Sequence, residues 1–93
     1  MTLELASGFT TLMMNKAQKS RIRAEKERNL KLQTIKEYIE FAKSEIRLAT
    51  ENFNNVTEPH LIDFYIYKIQ SEQNRYQQLL AEYKALELAP IPE

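Results

Sequence analysis

Phe53-Asn-Asn-Val-Thr-Glu-Pro-His-Leu-Ile-Asp-Phe64 decides the fold of this chain, because it stops one long amphipathic helix, turns the backbone and starts another. Asn54 and Asn55 tolerate the left-handed conformation that commonly ends a helix when glycine is absent. Thr57 is a favourable N-cap, and Pro59 is accepted in a first turn, where its missing N–H costs little. With Thr57 as the cap, Val56 and Leu61 have the spacing of a hydrophobic staple. Glu58 and Asp63 lie near the positive end of the second helix dipole.

Working outward, apolar residues recur at heptad spacing on both sides. Upstream they are Leu32, Ile35, Ile39, Ala42, Ile46, Ala49 and Phe53. Downstream the corresponding seam reads Ile62, Ile66, Ile69, Gln73, Tyr76, Leu80 and Tyr83. Each is one face of a helix, and two such faces joined by a short turn zip together antiparallel. Alignment about the turn pairs residues whose numbers sum to about 115. Ala49 then faces Ile66, Ile46 faces Ile69, Ala42 faces Gln73, Ile39 faces Tyr76, Ile35 faces Leu80 and Leu32 faces Tyr83. The fold class expected is all-α: a hairpin of two long antiparallel helices, dimerising into a four-helix bundle.

Composition agrees. The 93 residues hold one glycine and three prolines, and Pro59 is the only proline before the tail. Glu, Lys, Gln, Leu and Ala abound, which favours helix. The organisation expected is a flexible or docking segment at 1–15, a basic helical arm at 16–31, the hairpin at 32–88 with its turn near 54–57, and a frayed tail at 89–93. The register runs the second helix out near Leu88, opposite Glu27, so residues before about Arg28 project beyond the hairpin.

The formal net charge of zero conceals a polarity. Residues 16–36 carry Lys16, Lys19, Arg21, Arg23, Lys26, Arg28, Lys31 and Lys36 against Glu25 and Glu27, a balance of +6. Residues 37–93 carry five basic and ten acidic side chains, a balance of −5. A basic arm extends from an acidic body.

The stretch from Phe53 to Lys84 also resembles the YaaL-like family of small uncharacterised proteins of Gram-positive bacteria. The residues that carry the resemblance are Phe53, Val56-Thr57, Pro59, Leu61-Ile62-Asp63, Ile66-Tyr67, Glu72, Arg75-Tyr76, Leu79-Leu80 and Lys84. The upstream helix fits only loosely, and residues 1–15 extend past the family's usual short basic start. The resemblance implies a short cytoplasmic helical protein and no particular activity.

Signatures of chemistry are few. With no cysteine, the chain can form neither disulfides nor thiolate metal sites, and it has no thiol nucleophile. The single histidine, His60, sits in a first turn where the dipole opposes its protonation, and reads as an ordinary turn residue. Glu37 and Glu40 lie three apart, but the Glu-x-x-His pair of a bundle dimetal site is missing, so they read as solvated surface. No catalytic set and no glycine-rich phosphate loop can be assembled. No enzyme activity, cofactor or metal is expected. No apolar run reaches the roughly 20 residues that cross a bilayer, and the basic residues follow the mildly apolar start, the wrong order for a secretory signal. A cytoplasmic protein is the expectation.

Interaction surfaces are better supported. Off the main seams stand Tyr38, Phe41, Leu48, Phe64, Tyr65 and Leu79, more apolar side chains than one facing helix covers, which points to self-association. Lys16, Lys19, Arg21, Arg23 and Lys26 could contact phosphates of RNA, DNA or an anionic surface, against the bland alternative of a solubilising helix. Residues 15–37 lack aromatics, so any nucleic-acid contact would be backbone-driven and salt-sensitive. Asp63 and Tyr67, four apart, either face a partner or close the turn and pack at the bundle edge. The function expected is a non-enzymatic, self-associating interaction or adaptor module. The alternative is salt-sensitive RNA or ribosome binding through the arm.

Overall fold

The structure is a computed structural model and describes residues 15–91. Helix α1 spans Lys16–Asn55 and helix α2 spans Pro59–Leu88, packed antiparallel against each other. At 1.5 Å per residue the 40 residues of α1 extend about 60 Å and the 30 of α2 about 45 Å. Helix α1 is continuous across positions 31 and 32, so arm and hairpin share one helix. Its start is a capping box: the Gln18 N–H donates to Asn15 Oδ1 at 2.8 Å and the Asn15 N–H to Gln18 Oε1 at 3.0 Å. The expected segment 1–15 lies outside the described residues except for Asn15.

The turn is sited as expected but built differently. No residue among those described has a positive φ. Helix α1 ends instead when Val56 becomes extended (φ −95°, ψ 149°), with its N–H on the Phe53 carbonyl at 3.4 Å. Asn55 contributes by its side chain, donating to the Glu51 carbonyl at 3.0 Å, so no left-handed residue is needed. The α2 cap is Glu58, not Thr57, and Pro59 occupies the first helical position. The cause is Pro59 itself. A proline drives the preceding residue out of the helical region, and Glu58 is extended at φ −74°, ψ 129°. The Val56–Leu61 staple loses its register with the cap. The Glu58 side chain makes no capping bond and lies 3.2 Å from His60 Nε2.

Buried side chains are few: Ile39, Ala42, Ala49 and Leu79. Ile39, Ala42 and Leu79 form the core, flanked by Ile35, Tyr76, Leu80 and Tyr83. On α1 these are seam positions read from sequence. On α2 the buried stripe is rotated. Ile66 is 39% exposed and Gln73 is exposed, while Tyr65, Lys68, Glu72 and Leu86 are half-buried and Leu79 is buried. Two neighbouring seams on α2 share Tyr76 and Tyr83, and the one through Leu79 presents large side chains to Ala42, which is fully covered. Leu79 is therefore spent inside the hairpin and is withdrawn from the self-association surface, and Tyr65 is half withdrawn.

Two cross-helix contacts record the alignment. Lys68 Nζ stands 3.7 Å from Glu45 Oε2, and Arg28 Nη1 donates to the Ala89 carbonyl at 3.1 Å. The second holds the start of the tail. Ala89 and Ile91 are half-buried.

Candidate interaction surfaces

Helical geometry gathers the exposed apolar residues of α1 onto one side. Leu30, Tyr38, Phe41 and Leu48 follow each other at multiples of three and four, beside the core stripe and not on it. Their exposures are 69, 49, 56 and 53%, high for large apolar groups. Glu45 lies within the same line, four residues after Phe41 and three before Leu48. Its ion pair with Lys68 therefore marks where this side of α1 continues onto α2. Phe64, 54% exposed, is one turn before Lys68 on that side. Toward the open end, an open groove of about 300 Å³ is lined by Leu30, Thr34, Ile35 and, from α2, Leu86. One broad side of the hairpin thus carries an apolar stripe from Phe64 near the turn to Leu30 near the open end.

Of the residues expected to self-associate, Tyr38, Phe41, Leu48 and Phe64 are on this side. Tyr65 turns inward, its ring edge-on to Phe64 with centroids 5.1 Å apart, and Leu79 is core. Leu30 escaped the sequence reading because it precedes the hairpin seam, although its position eight residues before Tyr38 was a usable signal.

The basic residues behave as two groups. Lys16, Lys19, Arg21, Arg23 and Lys26 are all exposed, and Arg21 lies 3.9 Å from Glu25, one turn along. Arg28 leaves the set. It is half-buried in a cleft of about 160 Å³ lined by Ala24, Leu86, Ala89 and Pro90, where its guanidinium anchors the tail. Nothing in the seam pattern announces that, since the anchor is a backbone carbonyl 61 positions away. Residues 16–23 are exposed throughout, and α2 does not cover them.

Asp63 and Tyr67 are both exposed, Tyr67 by 73%. With Glu58 at the cap, Asp63 is not the capping residue. Tyr67 borders an open groove of about 280 Å³ with Phe64, Lys68, Ser71 and Glu72. Glu37 and Glu40 are engaged along their own helix, by Gln33 Nε2 at 3.4 Å and Lys43 Nζ at 3.5 Å. Among the described residues no three acidic or histidine side chains gather as a metal site would require, and no helix is long and apolar enough to cross a membrane.

An antiparallel two-helix hairpin with an overhanging basic arm is the class these features define. The chain belongs to the family described as "Protein of unknown function (DUF2508)", whose profile matches residues 13–89. The match spans both helices and the turn. No curated protein and no solved structure matches the chain.

Proposed function

We propose that this chain is a non-enzymatic interaction module of the cytoplasm that works as a dimer of hairpins, packed into a four-helix bundle. The observation that carries this reading is the exposed stripe of Leu30, Tyr38, Phe41, Leu48 and Phe64 on one side of a molecule whose own core is thin. Among the described residues only four apolar side chains are buried. A small domain with so little core gains its missing burial most simply by covering that stripe with a second copy. Absence of cysteine suits a reducing compartment. The resemblance of residues Phe53 to Lys84 supports reading the chain as one of the YaaL-like proteins of Gram-positive bacteria.

Light scattering coupled to size exclusion on the full chain tests the assembly. A dimer mass is expected for the wild type. Phe41→Glu and Leu48→Glu each yield monomers, because a carboxylate buried in an apolar interface has no partner. A wild-type monomer across the micromolar range sinks the proposal.

A further inference from the structure

We infer that the two hairpins pack antiparallel, with the basic arm of each copy lying along the acidic turn end of the other. This rests on the dimer reading above and adds its orientation and the partner of the arm.

The first support is the spacing of the stripe. Run antiparallel about a twofold axis, α1 of one copy sets Leu30 against Leu48 of the other, and Tyr38 against Phe41. Every large exposed apolar side chain of α1 between positions 30 and 48 then meets another. Helix α1 ends at Asn55, which this alignment sets beside Arg23 and Ala24 of the other copy. Lys26 and Arg23 therefore lie along that last turn, Arg21 lies level with the 56–58 loop, and residues 16–20 extend past it.

Charge is the second support, and it is independent of the first. Residues 16–26 hold five exposed cations, Lys16, Lys19, Arg21, Arg23 and Lys26, with Glu25 as their single carboxylate. The other end of the molecule holds exposed Glu51, Glu58 and Asp63, and no lysine or arginine occurs from residue 51 to residue 63. The arm cannot reach these carboxylates in its own chain. It belongs to a continuous helix whose own length, several times the Debye length, separates it from the turn. A second copy brings the two ends together, and twofold symmetry satisfies both arms at once. A parallel pairing would set arm against arm and turn end against turn end, like charge on like at both ends.

The cysteine-free chain makes the orientation directly measurable. Glu27 and Asn52 are exposed, continue the line of the stripe and face each other in the antiparallel alignment. Full-length Glu27→Cys and Asn52→Cys copies, mixed and mildly oxidised, are expected to form the mixed disulfide. Efficient disulfides within Glu27→Cys alone would show parallel pairing and overturn the inference while leaving the dimer standing. Charge exchange tests the arm. Reversing Arg21, Arg23 and Lys26 to Glu weakens dimerisation roughly tenfold at low salt, as does reversing Glu51, Glu58 and Asp63 to Lys. Combining both sets in one chain restores it. If the arm reversal leaves dimerisation unchanged and instead abolishes binding of a labelled RNA oligonucleotide, the arm serves phosphates and the inference falls. Absence of any dimer removes the reading beneath it as well.

Discussion

Arg28 and Glu72 show how single polar residues acquire roles that composition conceals. Arg28 sits in a run of cations, yet its Nη1 donates to the Ala89 carbonyl, its Nε is buried without a partner, and its stem packs against the end of α2. Arg28→Ala is expected to cost about 1–2 kcal/mol, by loss of a charge-assisted hydrogen bond and of packing, and to release the tail. Chemical denaturation measures the first effect, and amide exchange at Ala89 and Ile91 the second. Glu72 is half-buried, and its Oε2 is buried without a hydrogen-bond partner in the structure. An unpartnered buried polar atom is a standing cost, so Glu72→Met should raise stability by about 1 kcal/mol. A lower melting temperature for that variant would show that the carboxylate is satisfied in the assembled protein.

At the scale of the elements, the turn and the seam decide which faces remain outside. Pro59 confines Glu58 to extended backbone, which places the first residue of α2, and packing against α1 sets the rotation of α2 about its own axis. That rotation buries Leu79 and leaves Ile66 out. Leu79→Ala should therefore destabilise by about 2–4 kcal/mol, whereas Ile66→Ala, at a partly exposed position, costs about 1 kcal/mol, a contrast that the heptad reading reverses. Equal losses in thermal unfolding would place both residues on the seam. Ala42, fully covered beside Ile39 and Leu79, admits no larger side chain. Ala42→Phe should splay the helices at an expense of about 1–3 kcal/mol. Legibility divides along the same line. The helix limits and the α1 seam were readable because breakers and periodicity are local. The α2 seam was readable only in part: Ile62, Ile69, Tyr76, Leu80 and Tyr83 are half-buried, but Ile66 and Gln73 are not, because two adjacent stripes have nearly equal apolar content and only the surface of α1 chooses between them.

For the whole molecule, the hairpin is lopsided in two senses: one broad side is apolar, and one end is basic while the other is acidic. In the proposed dimer both asymmetries would be matched by a second copy turned end for end, which would cover the stripe and pair the ends. Dimer dissociation should accordingly increase with salt, by roughly tenfold between low and physiological ionic strength, with burial of Tyr38, Phe41 and Leu48 expected to supply most of the affinity of the proposed dimer. Sedimentation at graded salt checks this, and a salt-independent constant would leave the apolar stripe as the whole of the interface. Because the arm contributes charge and no core, deleting residues 1–23 should weaken association while leaving the hairpin's helical signal in circular dichroism cooperative on heating.

What the sequence by itself determined is the number of helices, their antiparallel pairing, the place of the turn and the polarity of charge. Each follows from spacing or composition along a single strand of chain, which is local information. The tertiary structure alone decided that Leu79 belongs to the core, that Tyr65 faces inward and that Arg28 anchors the tail. It also decided that Leu30, Tyr38, Phe41, Leu48 and Phe64 share one side. Those are questions of rotation and of contact between residues far apart in the chain. A helix read in isolation leaves its rotation undetermined until a neighbour packs against it.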